Sequence, residues 1–258
     1  MINWLTIERR DCPPAQHVLA PPELERYAGL RTEKRRGDWL LGRVAAKRLV
    51  QRHMGGLGLD LSPAAIMILS DRDGAPRVAP WGMAMAIPHI GAELEALQIS
   101  ISHTASRSLC AMISGTRPAI ALGADIEQIA ARGSSFAQAY DTPAELALLD
   151  ATPAECYDTL STAIWSAKEA LLKVTRHGLR VDTRMVTCLP AQQVRDGWAP
   201  VAISTELTSA SVVGWWRVRD GYVITIAAGG EGGAHPSPRP SFSDKDEQCR
   251  TISTGCGR

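Results

Sequence analysis

The order of segments along the chain predicts an α+β fold, two similar lobes of antiparallel sheet packed with helices. Three observations carry that prediction. Strand-like runs with apolar residues at alternate positions, such as "AIALGADIE" at 119–127, come in groups separated by short turns. The two strongest helical segments, 32–54 and 161–178, each precede several such strands. A doubly wound parallel sheet would instead alternate single strands with helices throughout. The halves resemble each other only in this pattern, and no residue-level repeat is visible.

Each element has a local reason. "INWLTIER" at the start reads as a strand, and "PPELERYAGL" as a short helix opened by two prolines. The long helix "TEKRRGDWLLGRVAAKRLVQRHM" is closed by the glycines of "GGLGL". "AAIMILSDRDGAPRV" gives two strands about a turn at Asp73-Gly74, and "LQISISHTASRSLCAMIS" gives two more about a polar turn. In "DTPAEL", Thr142, Pro143 and Glu145 form a capping-box signal. The clearest helix, "STAIWSAKEALLKVTRHG", is expected to start near Ser161 or Thr162 and to stop at Gly178. "VAISTEL", "SVVGWWRVRD" and "GYVITIAA" complete an antiparallel set. The expected division is an N-terminal lobe over 1–115, a C-terminal lobe over 116–228, and a Gly-, Pro- and Ser-rich tail over 229–258 too polar to stay ordered.

Composition narrows the function. With 28 Lys plus Arg against 27 Asp plus Glu, no global field draws the chain to nucleic acid or anionic lipid. Any charged ligand must therefore meet a local cluster. No run is long enough to span a membrane, and the start lacks the apolar stretch of a signal peptide. The six cysteines make no CxxC pair, so reduced thiols in a cytoplasmic protein are expected.

Chemistry concentrates in two segments. On the strand "GADIE", Asp125 and Glu127 point to one face, where like charges repel unless a cation or proton sits between them. On the helix, Glu169 and Lys173 share a face with Trp165, and Lys168 lies beside them. Alone, a Glu with Lys four residues on is an ordinary surface pair, and the strand acids an ordinary solvated strand end. If strand and helix converge, three oxygen ligands without His or Cys suit Mg²⁺ and a phosphate-bearing substrate. Arg36, Arg43 and Lys47 form a stripe on the long helix, bordered by Trp39 and Leu40. Ser102 and His103 stand where a strand meets its turn, and Gly74, Ala75 and Pro76 shape another turn.

Together these strings resemble the signatures of the 4′-phosphopantetheinyl transferases, in order and over roughly residues 30–190. "GADIE", followed 40 residues after Asp125 by "WSAKEALLK", is similar to their GxD…(F/W)(S/C/T)xKExxxK pattern. "SISHT" is similar to their Ser-His turn, "DGAPRV" to their GKP-type segment, and "RRGDWLLGRVAAK" to the basic helix of the larger, pseudo-dimeric Sfp-type class. The resemblance implies a pseudo-two-fold fold and transfer of phosphopantetheine from coenzyme A to a serine of an acyl or peptidyl carrier protein. It further implies Mg²⁺ on Asp125, Glu127 and Glu169, with Glu169 activating the serine. Lys173 and Lys168 would meet the phosphates. Ser102, His103 and an arginine, Arg36 or Arg43, would meet the 3′-phosphate, and Gly74, Ala75 and Pro76 would border the adenine. The departures are Ala75 where lysine is common, Ala124 inside the first signature, and Asp38 near the arginine position of some members. A monomer with no nucleic-acid or membrane partner is expected. The rival readings are a Mg²⁺-dependent phosphodiesterase or nuclease, and a binding module that uses the basic helix without catalysis. The first lacks the (D/E)xK strand pattern, since Gln128 and Ile129 follow Glu127. The second lacks aromatics beyond Trp39 on that helix.

Overall fold

The computed structural model describes residues 1–114, 120–192 and 197–230, and the backbone of 242–244. It divides into two units that meet in sequence at Thr116 and Arg117. The first contains β1 (Ile2–Glu8), α1 (Pro21–Ala28), α2 (Glu33–Gly56), β2 (Ile66–Ser70), β3 (Pro76–Pro80), α3 (Pro88–Glu95), β4 (Gln98–His103) and β5 (Arg107–Ile113). The second contains β6 (Ile120–Gln128), α4 (Ser134–Tyr140), α5 (Pro143–Asp150), α6 (Ala154–Val174), β7 (Val186–Pro190), β8 (Ala199–Thr205), β9 (Ser211–Arg219) and β10 (Tyr222–Gly230).

Apart from a short parallel strand on the outer edge of β1, the sheet orders are β1-β5-β4-β3-β2 and β6-β10-β9-β8-β7, antiparallel at every step. Strand for strand, the two units share one topology, and the α+β prediction holds. They differ in two places: the first unit inserts α3 (Pro88–Glu95) between its third and fourth strands, and the second adds α4 (Ser134–Tyr140) after its first strand.

Several boundaries fall elsewhere than the sequence suggests. α6 starts at Ala154, so Ser161 and Thr162 are buried mid-helix residues rather than caps. It stops at Val174, because Arg176 takes a left-handed φ of 57° that no helix continues through. The expected tail begins inside β10, which runs through Gly230, and residues 242–244 form a short strand, β11 (Phe242–Asp244), parallel to β1. Residues 231–241 and 245–258 lie outside the described residues.

α2 begins as its sequence dictates: the Thr32 hydroxyl accepts a hydrogen bond from the Arg35 N–H at 3.2 Å. Its apolar side, including Leu41, Val44, Leu49 and Met54, packs with Leu5 and Ile66 of the sheet in an aliphatic core. α6 does the same in the second unit, through Ala163, Ala167, Ala170 and Leu171 against Val186, Val223 and Ala227.

A residue-level repeat lies inside these cores. In the first unit the fully buried Lys47 ammonium pairs with Glu23, the third residue of α1. It also donates to the carbonyls of Val18 (2.8 Å) and Pro63 (3.1 Å). The Glu23 carboxylate accepts from the N–H groups of Ala20 (3.0 Å) and Ile68 (2.9 Å). In the second unit Lys168 pairs with Glu145, the third residue of α5, at 2.7 Å and donates to Thr183 O (3.0 Å) and Val186 O (2.8 Å). Glu145 accepts from the N–H groups of Thr142 and Cys188, both at 2.6 Å. Ile68 and Cys188 are the third residues of the equivalent strands β2 and β7. Each clasp thus joins a long helix, a short helix start and a strand. The satisfied hydrogen bonds are what make a buried ion pair tolerable, and removing one partner of such a pair costs about 3–5 kcal/mol.

Candidate functional site

Gly123 brings the acidic strand under its helix. A Cβ there would sit 2.9 Å from the Ala170 carbonyl carbon, closer still to its oxygen, and 3.0 Å from Val174 Cγ2. Only glycine lets β6 and α6 pack at this distance. The close approach brings Lys173 down onto the strand, where its ammonium donates to Ala124 O and to Asp125 Oδ1, both at 2.8 Å.

The three carboxylates share one electrostatic neighbourhood. Burial, with the neighbouring charges of Asp125 and Glu127 and against the pull of Lys173 and Arg132, pushes Glu169 up to about 7. Burial, then Asp125, also raises Glu127, while Arg132, a hydrogen bond from Trp165, and Lys173 pull it down. Asp125 is 1% exposed and is matched by Lys173; Glu127 is matched by Arg132 at 3.1 Å. Three acids therefore face two cations, and Glu169 carries the charge left over. A proton settles that excess near neutral pH; a divalent cation would settle it better.

No three His, Cys, Asp or Glu side chains among the described residues are already gathered as a metal-ligand set. The donors present still fit Mg²⁺ in kind: hard carboxylate oxygens, mutually repelling, with excess negative charge. A pH effect follows. Since the folded protein holds the Glu169 proton up to about 7 while an unfolded glutamate loses it near its ordinary 4.5, this stabilisation is full in acid. It is lost as pH rises from about 4.5 to 7. Metal-free protein should therefore gain stability from added Mg²⁺ more at pH 7.5 than at pH 5, as read from denaturant midpoints. Equal gains at both would contradict the assignment of Glu169.

Beside the acids lies a feature the sequence pattern did not flag. Arg132 stacks over Phe136 (4.8 Å) and Trp165 (5.8 Å), and Phe136, Tyr140 and Trp165 pack with ring centroids 4.8–5.3 Å apart. Arg132 sits in the irregular stretch after β6, where no periodicity marks it; its only signal was a charge five residues after Glu127.

The first unit carries a cavity of about 550 Å³ lined by residues of α2, β2, the β2–β3 turn and β4. It brings together Arg43, Gly74, Pro76 and His103 of the expected set, and adds Lys34 and Arg35. Arg43 lies over the Trp39 ring at 3.5 Å and donates weakly to Trp39 O, and burial lowers it to about 10. Asp38, also in the wall, is paired with Arg9. Gly74 holds a φ of 91°, which explains glycine at that turn.

Other expected residues lie elsewhere. Arg36 does not line the cavity; it donates to Leu30 O at 2.7 Å and braces the turn before α2. Ala75 and Ser102 are outside the lining as well; the Ala75 carbonyl accepts from the Asp71 N–H across the turn. Lys168 is corrected outright: as the buried partner of Glu145 it has no exposed surface from which to meet a phosphate. Lys47 is likewise core, so the basic stripe of α2 is not one surface. The helical spacing was right, but spacing alone does not show which side of the stripe the sheet covers.

Residues 121–227 match the 4′-phosphopantetheinyl transferase superfamily. The chain is 34% identical over 91 residues to the holo-[acyl-carrier-protein] synthase of Bacillus subtilis (strain 168), covering 35% of this chain and 67% of that protein. It belongs to the 4′-phosphopantetheinyl transferase superfamily. Among solved structures, a holo-(acyl-carrier-protein) synthase from Bacillus anthracis str. Ames in complex with CoA (3′,5′-ADP) is 15% identical. That match covers 43% of this transferase and 96% of that chain with a TM-score of 0.37. The holo-ACP synthase of Plasmodium yoelii is 21% identical, covering 45% and 94%, with a TM-score of 0.38. The superfamily match falls wholly within the second unit of this transferase, from β6 to β10. Among its described residues no helix is long and apolar enough to cross a membrane, and Cys12, Cys110, Cys156 and Cys188 are free thiols.

Proposed function

We propose that this transferase moves 4′-phosphopantetheine from coenzyme A to a serine of an apo acyl or peptidyl carrier protein, releasing adenosine 3′,5′-bisphosphate, with Mg²⁺ as cofactor. The observation that best supports it is the excess charge of Asp125, Glu127 and Glu169 on two packed elements of the second unit, beside Lys173. Those three carboxylates would hold Mg²⁺, which when bound neutralises charge on a diphosphate.

In this reading the serine oxygen bonds to the β-phosphorus of coenzyme A as the bond to the bridging oxygen of the leaving bisphosphate breaks. Glu169, directly or through a water, is the group that accepts the serine proton. Lys173 offsets charge on the phosphates. The cavity of the first unit takes the nucleotide end of coenzyme A: Arg43 and His103 meet the 3′-phosphate, with Lys34 and Arg35 in the same wall, and Gly74 and Pro76 bound the base. Carrier proteins are acidic on average, so local basic charge would guide their approach. The active form in this reading is a cytoplasmic monomer.

Mass spectrometry of several unrelated apo carriers incubated with coenzyme A, Mg²⁺ and the protein tests the activity. A phosphopantetheine mass gain is expected, and none on any carrier would remove the proposal. Arg43→Ala and His103→Ala should each weaken binding of coenzyme A by about tenfold, the scale of one charge-assisted contact. Binding of 3′-dephospho-coenzyme A should change little. Equal losses for both ligands would take these two residues off the 3′-phosphate.

A further inference from the structure

The two clasps provide an internal control, because one fold has been built twice with different chemistry beside the same buried pair. Aligning Lys47 with Lys168 puts Arg48 where Glu169 stands and Arg52 where Lys173 stands. The pair itself therefore does not specify acids. In the second unit, though, Lys168 immediately precedes Glu169 in the helix, and consecutive side chains leave the axis about 100° apart. Fixing the direction of Lys168 fixes that of Glu169.

The fixation is tight. Lys168 has three anchors within 3.0 Å, and Glu145 is held by two N–H groups at 2.6 Å, one from the start of α5 and one from β7. α6 is thus pinned on one side by this clasp and on the other by the close approach of Ala170 to Gly123. Between these two supports its rotation and height over β6 are determined, and with them the separation of Glu169 from Asp125 and Glu127.

We propose that Glu145 and Lys168 are positioning residues for the acid cluster: their buried pair sets the rotation of α6 and so holds Glu169 where it can share a cation with Asp125 and Glu127. This rests on the Mg²⁺ reading above. The equivalent pair in the first unit, Glu23 and Lys47, stabilises its own unit and leaves the acids alone.

The test compares Glu145→Gln with Glu23→Gln by calorimetric titration of Mg²⁺ into protein saturated with coenzyme A, well below the melting temperature of each variant. Both should melt earlier than wild type. Glu145→Gln should bind Mg²⁺ about tenfold more weakly, the scale on which outer partners of metal ligands act, while Glu23→Gln stays within about twofold of wild type. Should Glu145→Gln fail to fold, Glu145→Asp keeps the buried charge and its hydrogen-bonding capacity but draws the carboxylate back by one methylene, so that Lys168 must shift to follow it. It too should lose about tenfold in Mg²⁺ affinity. Unchanged Mg²⁺ affinity in the folded clasp variants, or equal losses from both units, overturns the positioning role while leaving the Mg²⁺ reading standing. Absence of Mg²⁺ binding by the wild type overturns both.

Discussion

Asp125→Asn should abolish transfer while the protein stays folded. Asp125 is the most buried of the three acids, lies at the strand face over which α6 packs, and receives the Lys173 ammonium. An asparagine keeps the shape but removes the charge that a divalent ion requires. The loss expected in kcat is about 10³-fold or more, the several kcal/mol that a positioned metal ion contributes. Stability should move by no more than about 1–2 kcal/mol. Lys173 retains Ala124 O as acceptor and is 27% exposed, so it is not stranded as a buried charge. Single-turnover assays on an apo carrier, paired with urea denaturation, separate the two effects. Normal turnover by this variant would take Asp125 out of the metal site.

Gly123→Ala should be the most damaging single-methyl change in the second unit. The added carbon would overlap the Ala170 carbonyl, which is helix backbone and cannot rotate away. Strand and helix must separate, at a cost of about 3 kcal/mol or more, the upper range for overpacked cores. The displacement also lifts Glu169 and Lys173 from Asp125, so kcat should fall even where the variant remains folded. Gly55→Ala is the control: nothing lies within 4 Å of a Cβ at that position of α2. An alanine there should be neutral or stabilising by about 0.5–1 kcal/mol, because helix interiors disfavour glycine. Comparable destabilisation of the two variants in denaturant melts would refute the close-packing account.

Much of this was legible in the sequence. Period-two alternation located β6 with both acids on one face, helical spacing put Glu169 and Lys173 together, and turn chemistry placed Gly74. What stayed hidden was burial. Lys47 looks like a member of a basic stripe and Lys168 like a companion of Lys173, because nothing local distinguishes a lysine facing solvent from one facing a glutamate 24 or 23 residues earlier. The partners also carry their own local explanation, since Glu145 reads as a helix cap and is one, while doing a second thing across the core. Arg132 was missed for the opposite reason, having no pattern at all. Helix starts failed at α6 because "AECYDTL" has no strong cap, and the polar Ser161 and Thr162 imitated one.

The ammonium of Lys173 on Asp125 and the guanidinium of Arg132 on Glu127 have a consequence for assembly of the active form. Small zinc domains collapse without their ion because metal binding supplies most of their folding free energy. Here two resident side-chain cations and one proton serve as placeholders, so the second unit can fold first and load afterwards. Chelator should therefore silence the protein without unravelling it, and restoring magnesium should bring back full turnover with no refolding step.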